Sequence, residues 1–176
     1  MEQDGLFWLR ATCTGEAGVM VLGEEPDLEL LNDRSLAEGR LLPVGDEAAE
    51  VLRLEAGLPI YGLEITQKHL LPETPWMTSC YQPGKGCFTG QEVVERLRMK
   101  GSPKVALVAL LGPPEMPAPE PGTPVWVGDK KEGVYATSTS SPTLDRRLCY
   151  VFLKRRLRVP GASFEVTLDG TSWPVE

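Results

Sequence analysis

The chain has few of the residues that metal and nucleic-acid sites require. Its 176 residues include one histidine and four cysteines, and the cysteines at 13, 80, 87 and 149 form no CxxC pair. This spacing does not match a zinc or iron-sulfur site, so we expect no metal ligands. Acidic residues outnumber basic ones, 25 against 18, and give a formal net charge of -7. That balance disfavours direct nucleic-acid binding through a broad basic face.

Two further absences concern location. The N-terminus carries Glu2 and Asp4 with no basic segment, and the chain contains no long apolar run. We therefore expect neither a signal peptide nor a membrane span. Unpaired thiols fit a reducing compartment, so the sequence predicts a cytoplasmic protein with no membrane partner. The one dense basic run, residues 154–158, is more typical of a solvated strand or turn than of a binding site.

The most specific pattern in the chain lies between residues 85 and 92, which read KGCFTGQE. Thr89 and Glu92 have capping-box spacing, and Gly101 closes the run that follows, so the pattern predicts a helix over 91–100. Cys87 would then lie just outside the helix N-terminus. The partial positive charge of the helix and the ammonium of Lys85 would both favour thiolate over thiol there. The pattern thus predicts a reactive or anion-contacting cysteine.

The hydrophobic pattern divides the rest of the chain into short elements. It predicts strands at 6–13, 18–22 and 28–31, a helical turn at 35–40, and a helix at 47–56 with Asp46 as its N-cap. Prolines at 72, 75 and 83 favour an irregular loop over 60–83. Six strands are predicted after it, at 104–111, 124–127, 132–139, 148–153, 163–168 and 172–175. Such a series is typical of a small antiparallel barrel or sandwich.

The segment KGCFTGQE resembles the Lys-x-Cys-(aromatic)-x-Gly-Gln-Glu signature of the YgfZ-type folate-binding proteins. These proteins are similar in fold to the aminomethyltransferase, or T-protein, of the glycine cleavage system. Residues 10–18, RATCTGEAG, resemble the superfamily's Arg-x-x-Tyr-Thr-Gly-Glu-x-Gly strand-turn, although Cys13 stands where tyrosine is usual. Residues 52–57, LRLEAG, resemble its helix end. The resemblance implies an α+β protein, with a truncated T-protein-like folate-binding domain at 1–101 and a small antiparallel β-barrel domain at 102–176.

The same resemblance implies a function. It suggests a folate-binding accessory protein that binds tetrahydrofolate and supports iron-sulfur cluster assembly or repair, and indirectly tRNA modification. Cys87 would be the reactive centre and Lys85 its activating neighbour. Carboxylates can accept the paired N–H donors of a pterin, and cations can clamp the glutamyl tail. The candidate folate-binding residues are Arg10, Glu16, Arg53, Glu55, Lys85, Gly86 and Gln91, with Glu64 as a further pterin candidate.

Simpler roles stay open for several of these residues. Arg53 and Glu55 could form an ion pair at a helix end, Glu16 could cap a turn, and Gln91 could cap a helix. Cys80 fits a buried structural thiol better than a resolving thiol. His69, the only histidine, has no acidic or nucleophilic partner nearby in sequence. We therefore expect it on the surface or in a loop.

The resemblance also points to a second function and to partners. The catalytic aspartate of true aminomethyltransferases lies in an N-terminal region with no counterpart in this sequence, which argues against glycine-cleavage chemistry. A tetrahydrofolate-dependent aminomethyl or one-carbon transferase is the enzymatic alternative. The expected partners are folate and iron-sulfur client enzymes. A homodimer or a separate N-terminal chain would complete the shortened domain, because exposed strand edges favour association.

Overall fold

The computed structural model describes residues 2–3 and 5–176, and the chain forms two compact units. The N-terminal unit is Met1–Leu58 and the C-terminal unit is Pro59–Glu176. The domain boundary expected near residue 101 remains a prediction.

The N-terminal unit combines a small antiparallel sheet with two helices. Its strands are β1 (Glu2–Gln3), β2 (Leu6–Arg10) and β3 (Val19–Leu22), in the order β1-β2-β3. The turn between β2 and β3 is fastened by the Ala11 amide, which donates to the Gly18 carbonyl at 3.2 Å. The helices are α1 (Glu25–Ala37) and α2 (Asp46–Glu55). The predicted strand pair at 6–13 and 18–22 is therefore confirmed, with shorter strands.

One face of this sheet is apolar and exposed. The register places Phe7 opposite Leu22 and Leu9 opposite Met20, and directly opposed residues share a face. These four side chains are exposed by 49%, 48%, 45% and 40%, in that order. A contiguous apolar face of this kind is typical of an interaction surface.

Two expectations for the N-terminal unit are wrong. The strand expected at 28–31 is part of α1, and the turn expected at 35–40 begins as the last turn of the same helix. A short run of leucines is ambiguous between strand and helix. Pro26 in the first turn, with Glu25 and Asp27 beside it, favours a helix start. Helix α2 is confirmed, but Gly45 occupies its N-cap and Asp46 is its first residue.

The C-terminal unit begins with an irregular stretch, as predicted for 60–83. It contains a 3-10 turn at Leu71–Glu73 and the short helix α3 (Met77–Cys80), before helix α4 (Gln91–Met99). Helix α4 is confirmed, but the capping box is not formed. Gly90 is the N-cap with φ +84°, and no side chain caps this end. A left-handed N-cap suits glycine and leaves Thr89 outside the cap position.

Six antiparallel strands make up the rest of this unit. They are β4 (Val105–Gly112), β5 (Pro124–Val127), β6 (Lys130–Ser141), β7 (Arg146–Lys154), β8 (Phe164–Leu168) and β9 (Thr171–Val175). Their order is β4-β7-β6-β5-β8-β9. Leu111 and Glu176 exchange two backbone hydrogen bonds, at 2.9 and 3.1 Å, which join the first strand to the end of the last. The sheet is thus a curled antiparallel barrel, and all six predicted strands are confirmed.

The barrel core is filled mainly by β7. Residues 148–153 are all buried, and Val151 and Leu153 have no exposed surface. They pack with a cluster of ten buried residues: Leu110, Met116, Val125, Tyr135, Cys149, Val151, Leu153, Val166, Leu168 and Val175. A strand buried on both faces reads as a continuous apolar run, which is why this strand was evident in the sequence.

The basic run at 154–158 is a turn whose charges are largely engaged. Residues Arg155–Leu157 form a 3-10 turn. The Arg156 Nε donates at 2.7 Å to the carboxylate of Glu132, which is 2% exposed, and the Lys154 Nζ lies 3.6 Å from the same carboxylate. The hydrogen bond from Arg156, reinforced by Lys154, lowers the pKa of Glu132. The run therefore stabilises the barrel. No helix among the described residues is long and apolar enough to cross a bilayer.

Candidate functional site

Cys87 lies on a loop shaped by three glycines. Gly84, Gly86 and Gly90 have φ values of +78°, +104° and +84°, and a Cβ added at any of them would meet no atom within 4 Å. Their positive φ, rather than crowding, requires glycine. The Cys87 side chain is exposed. The loop therefore presents the thiol to solvent directly before helix α4.

Aromatic contacts position the chain on either side of Cys87. The Lys85 Nζ lies 5.4 Å from the centroid of the Phe88 ring, within the range of a cation–π contact. The Tyr81 ring meets Phe88 edge-on, with centroids 6.3 Å apart, and its hydroxyl donates to Glu95 on α4. Lys85 and Phe88 thus bracket Cys87 with a cation and a fixed ring.

Gln91 has the capping role that the sequence left open. Its Oε1 accepts a hydrogen bond from the backbone amide of Phe88 at 3.3 Å. This contact ties the first residue of α4 back to the loop that carries Cys87. Gly86, between Lys85 and Cys87, contributes only its conformation.

In the N-terminal unit, Glu16 and Glu55 line one pocket of about 320 Å³. The other lining residues are Thr14, Gly15, Leu52 and Ala56. Gly15 has φ +80°, and a Cβ placed there would lie 2.5 Å from the Ala56 Cβ. That close approach holds the turn against the end of α2, so the two carboxylates, far apart in sequence, face the same space.

Arg53 has a structural role beside this pocket. It is 5% exposed, its Nε donates at 2.9 Å to Glu50 and its Nη2 pairs with the same carboxylate. Its Nη1 donates at 2.6 Å to the Leu58 carbonyl, beyond the end of α2. The hydrogen bond from Arg53 lowers the pKa of Glu50. Arg53 therefore fixes the chain that follows α2, and its ion pair with Glu50 lies inside the helix.

The remaining candidates are placed as follows. Arg10 is the exposed last residue of β2, opposite Val19. Glu64, in the C-terminal unit, is 2% exposed and accepts a hydrogen bond from the Ile60 amide at 2.8 Å, which organises its own loop. The structure thus groups Glu16 with Glu55 in one unit and Lys85 with Gly86, Cys87 and Gln91 in the other. Within the described part of the chain, no three His, Cys, Asp or Glu side chains form a metal-binding group.

A pocket around His69 was not indicated by the sequence. His69 is a loop residue, as expected, but its ring stacks on Phe152 with centroids 3.9 Å apart and an angle of 7°. Its Nδ1 accepts the Thr66 amide at 3.0 Å. Burial lowers the pKa of His69, with Glu73 opposing and Lys68 assisting. These residues line a pocket of about 470 Å³. Phe152 lies far along the chain, so spacing gave no signal for this contact.

The cysteines differ from expectation in one respect. Cys80 is exposed, so its interpretation as a buried thiol is wrong; it ends the four-residue helix α3, which has no buried residue. The buried thiol is Cys149, in the barrel core, where burial raises its pKa to about 12. Cys13, Cys80 and Cys87 are therefore the solvent-exposed thiols.

Comparisons with known proteins agree with this architecture. Residues 105–176 match the family described as "Glycine cleavage T-protein C-terminal barrel domain". The chain is 30% identical over 174 residues to an aminomethyltransferase of Corynebacterium aurimucosum, covering 97% of this chain and 46% of that protein. It is 33% identical over 176 residues to one from Chlorobium luteolum, covering 96% and 46%.

A solved structure gives the same result for the fold. The glycine cleavage system aminomethyltransferase T from Bartonella henselae superposes with a TM-score of 0.85 at 22% identity, covering 98% of this chain and 48% of that one. The chain spans about half the length of the relatives it matches. The barrel-domain match, the two aminomethyltransferase relatives and the shared fold together support a place for this chain in the glycine cleavage T-protein superfamily.

Proposed function

We propose that this chain is a folate-binding accessory protein of the YgfZ type, in which the Cys87 thiol supports iron-sulfur cluster assembly or repair and, indirectly, tRNA modification. The observation that carries the proposal is the exposed thiol of Cys87 on a glycine-shaped loop, bracketed by Lys85 and Phe88. An accessible thiol beside a cation is the arrangement expected of a reactive cysteine. Client iron-sulfur enzymes would meet the protein at this loop, in the cytoplasm.

The folate part of the proposal rests on the pocket between Glu16 and Glu55. A pterin presents neighbouring N–H donors, and carboxylates accept such donors well. The residues present therefore fit the pterin of tetrahydrofolate. Arg10 is exposed and could pair with the glutamyl tail. Arg53 is engaged by Glu50 and would position the pocket without contacting the ligand.

Calorimetry with tetrahydrofolate under anaerobic reducing conditions tests this pocket. We expect saturable binding that weakens in Glu16→Gln/Glu55→Gln, because each lost charged hydrogen bond contributes about 1.5–3 kcal/mol. Glu25→Gln, a charge change on α1 outside the pocket, is the control and should bind as the original chain does. Equal affinity of all three proteins would remove Glu16 and Glu55 from the site. No binding to any of them would remove the folate role for this chain.

Genetic complementation tests the thiol. Cys87→Ala should fail to restore the activity of iron-sulfur enzymes in cells lacking this protein, and Cys13→Ala should restore it, since Cys13 is also exposed but lies in the other unit. Circular dichroism should show both variants folded, because neither side chain is buried. Full complementation by Cys87→Ala would contradict the proposed role of the thiol.

A second candidate is a tetrahydrofolate-dependent aminomethyl or one-carbon transferase. The specific observation in its favour is that the relatives at 30% and 33% identity are named aminomethyltransferase. Incubation with tetrahydrofolate and an aminomethyl donor distinguishes the two functions. Turnover above a protein-free blank would favour the transferase. Binding without turnover would favour the accessory protein.

The partner and domain proposals rest on the exposed sheet face of the N-terminal unit. Phe7, Leu9, Met20 and Leu22 are apolar and exposed on one face, which a second copy or a separate N-terminal polypeptide would cover. We retain the proposal that residues 1–101 are the latter part of a folate-binding domain and 102–176 the barrel. Light-scattering mass of the isolated chain separates a dimer from a monomer awaiting a partner.

A further inference from the structure

Two of the exposed cysteines belong to chain segments that meet in space. Cys80 directly precedes Tyr81, and Cys87 directly precedes Phe88. The rings of Tyr81 and Phe88 are in edge-to-face contact, with centroids 6.3 Å apart. The aromatic pair therefore holds the two ends of the 80–88 loop together and keeps both cysteines near the same point.

The loop between them can adjust. Gly84 and Gly86 have positive φ, and no atom lies within 4 Å of a Cβ at either position, so the backbone there is not packed against other atoms. A disulfide needs Cα atoms about 4.4–6.8 Å apart. The Cys80 Sγ contacts only the hydroxyl of the adjacent Ser79, at 3.7 Å, which is a weak contact to give up. Closing the loop would break no core packing.

We infer that Cys80 and Cys87 are a redox pair, in which Cys80 resolves an oxidised Cys87 as an intramolecular disulfide. This inference deepens the proposed thiol role of Cys87. The oxidant is a peroxide. The Cys87 thiolate attacks the O–O bond, which breaks as an S–O bond forms, so sulfur is oxidised to the sulfenic acid and hydroxide leaves. The Cys80 thiolate then attacks the Cys87 sulfur, the S–S bond forms, and the S–OH bond breaks to release hydroxide, which takes a proton to become water.

The other cysteines make this pairing selective. Cys149 is 1% exposed in the barrel core, and its raised pKa, about 12, keeps it as the unreactive thiol. Cys13 is exposed but lies in the N-terminal unit, outside the loop that the aromatic pair closes. Formation of the disulfide would remove the free Cys87 thiol reversibly and protect it from irreversible oxidation to the sulfinic acid.

Peptide mapping of the full chain tests the pair. The protein is treated with one equivalent of hydrogen peroxide, alkylated and cut with trypsin without reduction. Lys68, Lys85 and Arg96 are cleavage sites, so Cys80 and Cys87 fall on separate peptides, 69–85 and 86–96. We expect these two peptides to be linked and two hydrogens lighter than their sum, and to separate on reduction. Cys149 should remain unmodified, which also reports that the protein stayed folded.

Matched variants sharpen the result. In Cys80→Ser the link should vanish and Cys87 should progress to sulfinic acid, whereas Cys13→Ser should form the link as the original chain does. Sulfinic Cys87 with Cys80 still free in the original chain, a link to Cys13, or a link between two chains would overturn the inference. Cys80→Ser should still complement under reducing growth, where Cys87→Ala does not. A link formed by a chain whose Cys87→Ala variant complements would keep the redox pair and remove only the iron-sulfur role.

Discussion

The close approach of Gly15 to Ala56 makes a sharp test of how the Glu16/Glu55 pocket is built. In Gly15→Ala the new Cβ would lie 2.5 Å from the Ala56 Cβ, at a residue with φ +80°. The left-handed backbone alone costs about 1–2 kcal/mol for a residue with a Cβ. Overpacking against the end of α2 adds about 1–3 kcal/mol.

Gly39→Ala is the matched control. Gly39 lies in the same unit with φ +64°, and a Cβ there meets nothing within 4 Å. It therefore carries only the backbone cost, about 1–2 kcal/mol. The difference between the two variants isolates the steric clash, so Gly15→Ala should be less stable than Gly39→Ala by about 1–3 kcal/mol.

Hydrogen exchange of peptides covering residues 46–58 measures the effect locally, which suits a chain with two units. Faster exchange in α2 of Gly15→Ala than of Gly39→Ala is the expected result. Removing the opposing methyl in Gly15→Ala/Ala56→Gly should restore most of the difference, because the two positions are directly coupled. Equal exchange in the two single variants would refute the argument that the turn rests on α2.

Two further predictions concern titrating groups in the C-terminal unit. Because Arg156 lowers the pKa of Glu132 below its ordinary 4.5, the ionised form favours the folded state; its contribution is present above about pH 4.5 and is lost as the pH falls through the lowered pKa. In urea melts, Glu132→Gln should thus be less stable than the original chain near pH 7, and the gap should narrow below pH 4; a gap that does not depend on pH would contradict the ion pair. Burial lowers the pKa of His69 below 6.5, so its contribution is present above that value and is lost as the pH falls further. His69→Phe, which keeps a ring on Phe152, should remove the loss of stability between about pH 7.5 and pH 5.5, and an unchanged loss would show that another group is responsible.

The sequence predicted the barrel better than the N-terminal unit, for a physical reason. The β7 run is buried throughout, so it is apolar throughout and has a single interpretation. Helix α1 has no buried residue, and its leucines follow no clear amphipathic stripe. Without one buried face, periodicity cannot separate a helix from a strand, and only Pro26 with its acidic neighbours marked the helix start.

The candidate site shows the same division between local and distant information. The glycine-shaped turn around Cys87 follows from residues 84–90 themselves, so it could be expected from their order. The pairing of Glu16 with Glu55, the stack of His69 on Phe152 and the contact of Tyr81 with Phe88 each depend on how the chain folds back. Spacing in one sequence carries no information on such contacts, and the exposure of Cys80 was missed for that reason.

The hydrogen bonds between Leu111 and Glu176 have a consequence for synthesis of the protein on the ribosome. They join a residue of β4 to a residue that follows β9, so the barrel seam spans nearly all of the matched domain. The order β4-β7-β6-β5-β8-β9 also leaves β4 beside a strand made much later. Contacts this distant in sequence form slowly and cannot form before both partners exist. During translation β4 must therefore wait, with its apolar residues uncovered, until residue 176 has left the exit tunnel.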